Sequence, residues 1–299
     1  MELGIVWWNT GLIPPVQNKQ KDQPDPEKSA HVERVLSDIM SSGSVDILSI
    51  CEISPLCHNF ISEFAKNADM EVVFSTEKRG RIIFDTALLY DSTKLEIKGD
   101  SEYLIGNTPS NTSLKVGVKH VFKDLMKNEM ITVITSHWPS RKNKSGIGRI
   151  ELGFELRKHI DIILNRESDD SKIIILGDFN DQPYAPSLSL GIRATKDLQL
   201  VRKKKKLLYN PFWRHITNQD IEHSYHGSYY HKNGDVDRWY TFDQMIFSSS
   251  FASSQKKGWK LDFASSKFHT GDLDSEENKF VFLKHFDHLP IYGVIKYHE

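Results

Sequence analysis

Cysteine is scarce, with two in 299 residues, Cys51 and Cys57. So few thiols exclude a disulfide framework and a cysteine-built metal cluster. Charge of one sign is also missing. Thirty-nine basic residues meet 40 acidic ones, for a formal net charge of −1. That excludes the strongly basic balance of a protein held on nucleic acid by charge alone, but not a local basic rim. No run of 18 apolar residues offers a membrane span. Met1 leads almost directly into LGIVWW, without a charged leader, an apolar leader core or a small-residue cleavage site, so a cytoplasmic protein is expected. The patterns GxSxG and GxxxxGK are absent, and no Ser or Cys sits in a setting that suits covalent catalysis. There is no internal repeat and no long low-complexity tract.

Apolar residues make up 38% of the chain and aromatics 11%, enough for a sizeable core. The length allows one large domain or two small ones. Strands are expected at 3–8, 46–51, 71–75, 84–90, 115–122, 130–136, 172–177, 240–248 and 290–297, where β-branched and apolar residues concentrate. Helical spacing occurs at 27–41 (Val32, Val35, Leu36 and Ile39, following Pro26), at 56–67 (Phe60, Ile61 and Phe64) and at 149–165 (Ile150, Phe154, Ile160, Ile163 and Leu164). Strands alternating with helices near the ends and running consecutively in the middle predict a mixed α/β architecture.

The chemistry sits where these strands end. In IIILGDFNDQP a buried apolar run, Ile173 to Leu176, stops in Asp178 and Asn180. Polar groups have little structural reason to end a buried strand, but good reason if they hold a cation or an attacking water. The pattern recurs. Asn9 follows GIVWW, Glu52 follows VDILSIC and His137 follows MITVITS, while Asp243 lies inside YTFDQMIF and Asp287 and His288 precede the last strand. One such tip is ordinary turn chemistry. Several together describe a convergent polar site on a rigid scaffold. Glu52 is the best single metal-ligand candidate, because a carboxylate after a buried strand needs a cation or a salt bridge. Asn9 is a neutral co-ligand or phosphate contact. Because both ends of the chain contribute, a single domain over 1–299 is expected.

These motifs resemble the endonuclease/exonuclease/phosphatase superfamily of divalent-metal phosphoesterases, through GDFN at 177–180 and FDHLP at 286–290. Phe286 stands where the commoner form has serine. The resemblance implies a four-layer sandwich of two packed β-sheets flanked by helices, with the site at one edge of the sheets. It also implies Mg²⁺ or Mn²⁺ as cofactor, with Asp287 adding direct or water-mediated coordination. Asp178 would orient water or accept its proton, and Asn180 would hold that water or the phosphate. Asp243 and His288 would form a base or an electrostatic clamp. His137 would contact the phosphate or protonate the leaving oxygen. Its being histidine rather than tyrosine, and the Cys51-Glu52-Ile53-Ser54 motif, turn the chain away from the apurinic-endonuclease branch.

Specificity is expected from the loops. Arg141, Lys142, Lys144 and Arg149 follow His137 closely and can grip an anion, or form an ordinary solvated loop. RKKKK at 202–206 reads as solvated. Aromatics in 223–242, with Tyr229 and Trp239 foremost, can stack on bases or pack as a lid or core. His223, His226 and His231 are too loosely spaced to favour zinc. This segment also resembles one in bacterial members of the superfamily. The leading expectation is a phosphodiesterase with a DNA or RNA substrate. A phosphatase or phosphodiesterase on a small or lipid-headgroup phosphate is the alternative, and a non-catalytic binding module with the same fold is the third.

Overall fold

The computed structural model describes residues 1–13, 24–140, 147–166, 168, 170–216, 225–253, 257–270 and 282–299. Two large sheets dominate. The first is seven-stranded and runs Gly258–Leu261, Ile291–His298, Glu2–Asn9, Ile47–Cys51, Thr86–Tyr90, Glu71–Ser75, with Lys267–Phe268 also pairing to Ile291–His298. The second is eight-stranded and runs Ala194–Thr195, Leu208–Tyr209, Asp243–Ser248, Lys172–Asp178, Met130–His137, Ser113–Asp124, Leu95–Ile97, with Glu102–Asn107 on Ser113–Asp124.

Strand alternation sorts side chains into layers. Ile5 and Trp7 face inward with Val133, Ile174, Leu176, Met245 and Phe247, forming the core between the sheets. Val6, Trp8, Leu48 and Ile50 face outward and pack against Val32, Leu36 and Ile39 of the helix Pro26–Ser41 and against Ile61 and Phe64 of the helix His58–Asn67. Ile134, Ile173 and Ile175 face outward from the second sheet onto Leu152, Leu156 and Ile160 of the helix Ile147–Arg166. Each fully buried aliphatic side chain contributes about 1.5–3 kcal/mol. The result is the helix–sheet–sheet–helix sandwich expected from the motifs.

Helix starts follow local chemistry. Pro26 opens its helix, and the Asp25 side chain accepts from the Glu27 N–H at 3.0 Å. The segment read as one helix from 56 is in fact a 3₁₀ turn, Pro55–Cys57, leading into His58–Asn67. No described helix is long and apolar enough to cross a membrane.

Candidate active site

Register brings the polar strand ends together. In the second sheet, His137 pairs with Asp178 across parallel strands and Asp178 with Asp243 across antiparallel ones. In the first, Asn9 pairs with Cys51, so Glu52 emerges beside it. Gly177 makes the approach of Asp178 to His137 feasible: a Cβ there would lie 1.9 Å from the Ser136 backbone oxygen. Two residues at the strand ends take left-handed backbone conformations without being glycine, Glu52 (φ 57°) and Asn180 (φ 50°). Asparagine tolerates this region, whereas for glutamate it costs about 1–3 kcal/mol.

Asp178 is the hub. One of its carboxylate oxygens, Oδ2, accepts from Asn9 Nδ2 at 3.2 Å and from Asn180 Nδ2 at 3.1 Å. The same oxygen lies 3.7 Å from His288 Nε2 and 3.9 Å from His137 Nε2. Oδ1 accepts the Asn180 backbone N–H at 2.8 Å. Burial raises the Asp178 pKa, partly offset by His288 and His137.

Each histidine is backed by an acid. His288 Nδ1 lies 2.7 Å from Asp243 Oδ2, and the other Asp243 oxygen accepts from Trp7 Nε1 at 2.9 Å. Burial opposes the imidazolium of His288, but Asp243 and Asp178 outweigh it and hold its pKa well above the ordinary value. His137 Nδ1 lies 2.6 Å from Asp85 Oδ2, and Lys115 Nζ donates to Asp85 Oδ1 at 2.7 Å. The His137 pKa is raised too, burial and Lys115 opposing and Asp85 prevailing. Burial pushes Asp85 upward, but His137 and Lys115 bring it down to about 2. Both imidazoles therefore have their Nδ1 engaged and their Nε2 facing Asp178 beyond hydrogen-bond distance.

Glu52 stands apart. It accepts from Asn9 Nδ2 at 3.3 Å, its closest cationic group among the described residues is His137 at 3.8 Å, and burial raises its pKa. Among the described residues, five carboxylates (Glu52, Asp85, Asp178, Asp243 and Asp287) here face three cationic groups (Lys115, His137 and His288). A divalent cation fits that excess. Asp178, Asp243 and His288 also bring ligand atoms within 4.8 Å of one another. Both Asp243 oxygens are already used there, and magnesium favours oxygen ligands, so Glu52 is the better anchor. Asn9 turns its amide nitrogen, not its oxygen, toward the two carboxylates, and its Oδ1 accepts from the Gly11 N–H at 3.0 Å. In this orientation it bridges two acids, and coordination requires the amide to turn over.

The remaining sequence expectations divide. Asp287 is exposed at the rim, with its backbone oxygen accepting from Tyr230 N at 2.7 Å. Tyr229 lies with its ring 4.7 Å from that of His288, and Trp239 lies 4.9 Å from Tyr230 and 5.6 Å from Tyr225. Arg149, expected to grip an anion, is buried, and its guanidinium pairs with Asp181 at 2.9 Å and donates to the backbone oxygens of Pro139 and Phe179, fastening the site's loops. Arg141, Lys142, Lys144 and His223 lie outside the described residues. Lys206 of the RKKKK run donates to Asn165 at 2.8 Å, and Lys205 pairs with Asp170, in keeping with a solvated face. Phe286, in place of the usual serine, packs edge-on against Trp8 at 5.0 Å.

Asp85 and Lys115 were not among the candidates. Asp85 carries the same signal as Asp243, an acid within an apolar run (IIFDTALLY). Lys115 has no local signal, since its role arises only when strand pairing brings it beside Asp85.

A model of the Endonuclease/Exonuclease/phosphatase family matches residues 10–282, and the chain belongs to that family of phosphoesterases. No curated protein sequence matches it. Solved structures share the fold at low identity. ANGEL2, described as a 2′,3′-cyclic phosphatase in complex with adenosine-2′,3′-vanadate, is 14% identical over 99% of this chain and 95% of its own, with a TM-score of 0.66. D. rerio TDP2, complexed with single-strand DNA product, is 16% identical over 99% of each chain, with a TM-score of 0.55. A mannosyl-6-phosphatase of Bacteroides thetaiotaomicron VPI-5482 is 12% identical over 99% and 100%, with a TM-score of 0.59.

Proposed function

We propose that this chain is a Mg²⁺- or Mn²⁺-dependent phosphodiesterase that cleaves DNA or RNA by direct in-line attack of water. The observation that carries the reading is the pair of acid-backed histidines converging with Glu52 on Asp178. Glu52, with Asp287 at the rim, would hold a divalent cation, whose chemistry there would be charge neutralisation of the phosphoryl and leaving oxygens. Asp178 has a raised proton affinity and two amide donors fixing its carboxylate, which suits orienting a water and taking its proton. Asn180 steadies that carboxylate. His288, kept cationic by Asp243, clamps the phosphate through Nε2. His137, kept cationic by Asp85, reaches the phosphate from the other side and is placed to protonate the leaving oxygen. Arg141 is assigned to backbone contact by its sequence position alone.

The aromatic rim favours a nucleic acid. Tyr229 is partly exposed against the His288 ring, Tyr230 and Trp239 are partly exposed against each other, and aromatic faces bind unpaired bases with about 1–3 kcal/mol each. The adenosine and single-strand DNA held by two proteins of the same fold accord with this. A small phosphomonoester is the second reading, favoured by the near-neutral charge and by the likeness to a sugar phosphatase. The first and last strands, Glu2–Asn9 and Ile291–His298, pair directly, which supports one domain over 1–299.

The test is cleavage of single- and double-stranded DNA, RNA and a sugar phosphomonoester with Mg²⁺, Mn²⁺ or EDTA. We expect metal-dependent cleavage of a polynucleotide, lost in Glu52→Gln and His288→Ala. Turnover of the monoester alone would establish the second reading, and turnover in EDTA would overturn both.

A further inference from the structure

Outside this site, three side chains from two separate segments meet in a way that hydrogen bonding does not explain. Glu27 and His31 lie one turn apart on the helix Pro26–Ser41, and His285 ends the short helical turn at 282–285. The His31 and His285 rings stack with centroids 3.8 Å apart and an interplanar angle of 30°. Glu27 Oε1 lies 4.0 Å from His31 Nε2 and 3.9 Å from His285 Nε2, too far for hydrogen bonds. One ligand atom from each of the three lies within 4.8 Å of the others.

We infer that Glu27, His31 and His285 form a second metal site, one that takes a transition-metal ion of the zinc class and is separate from the catalytic cation. The donor set decides the class. Two imidazole nitrogens and one carboxylate oxygen suit zinc, nickel or copper, whereas magnesium takes oxygen. Tetrahedral ligands at 2.0–2.1 Å from zinc stand about 3.3–3.4 Å apart, so each carboxylate–imidazole pair must close by about half an ångström and the stacked rings must turn their ligating nitrogens toward one point. Glutamate and histidine at i and i+4 already share one helix face. The imidazoles are mostly buried, with 20% and 14% of their side chains exposed, while Glu27 is 68% exposed and leaves an open side for entry and a water ligand.

The location gives the ion something to hold. His285 precedes Phe286, which packs on Trp8, and stands three residues before His288. Lys28, next to Glu27, donates to the Gly11 backbone oxygen, two residues from Asn9. A bound ion would fasten the start of this helix to the segment that delivers Asp287 and His288, a positioning role.

Cobalt and zinc titrations of tag-free, metal-stripped protein in saturating Mg²⁺ test this. Wild type and Glu52→Gln should each bind one equivalent, with a visible Co²⁺ absorption band, and a hundredfold excess of Zn²⁺ over its Kd should raise Tm by about 5 °C. His31→Gln and His285→Gln, checked for folding by circular dichroism, should each lose that equivalent and the shift. X-ray absorption of zinc-loaded Glu52→Gln needs no variant of the new site and should give two imidazoles. No binding, an oxygen-only shell, or binding that survives both histidine substitutions and disappears in Glu52→Gln would overturn the inference.

Discussion

Glu52 combines two unfavourable circumstances, a left-handed backbone and a partly buried carboxylate whose closest cationic group among the described residues is His137 at 3.8 Å. Such a residue trades stability for chemistry. Glu52→Gln in EDTA should therefore raise stability by about 0.5–2 kcal/mol in denaturant titration while abolishing metal-dependent turnover. The histidines behave oppositely. His288 has a folded-state pKa above its unfolded value of about 6.5. Its pairing thus stabilises fully below that unfolded value and is lost as pH rises through the folded one. Asp85, held near 2, stabilises above the unfolded carboxylate pKa of about 3.9 and is lost as pH falls through about 2. Removing its carboxylate partner should lower the His288 pKa. In Asp243→Asn the alkaline limb of the pH–rate profile should move to lower pH, with turnover reduced about 10²- to 10⁴-fold. An unmoved limb would show that the pair does not govern charge at His288. At this scale the sequence was readable where an acid, amide or histidine ends an apolar run, as at Glu52, His137 and Asp178. It was silent on Lys115, Trp7 and the carboxylates that Asn9 bridges, which depend on partners 22 to 236 residues away.

The strand ends act as a set because register aligns them. His137, Asp178 and Asp243 occupy one transverse row of three neighbouring strands. Gly177 permits that row, and Gly177→Ala should cost about 1–3 kcal/mol or more by calorimetry and lower kcat more than it changes KM. Arg149 ties the loop after His137 to the loop after Asp178 through Pro139, Phe179 and Asp181. Arg149→Lys should lower Tm, because lysine cannot reproduce the planar fork, and leave KM unchanged in the folded fraction. A raised KM would restore a substrate-contact role. Long elements with clear periodicity were legible in the sequence, among them the strand ending at His137 and the three long helices. Leu95–Ile97, Glu102–Asn107 and Gly258–Leu261 were not, being short edge segments whose pairing comes from neighbours rather than from their own pattern.

Two sheets packed face to face place six polar strand ends and a terminal segment along one edge, and most of the molecule serves to keep them there. The four-layer arrangement was legible from the motif resemblance together with the alternation of strands and helices, while the layer assignment of each strand required the structure. In the proposed reading the aromatic rim that begins at Tyr229 meets the bases of a polynucleotide. Trp239→Ala should raise KM for a single-stranded oligonucleotide about 5- to 100-fold and leave a small phosphodiester unaffected. In the proposed reaction water, not a side chain, attacks phosphorus. The stereochemical course of hydrolysis at a chiral phosphorothioate diester tests that directly. One in-line displacement inverts phosphorus, and inversion is the expected result; retention, the mark of two displacements through a covalent enzyme intermediate, would contradict it.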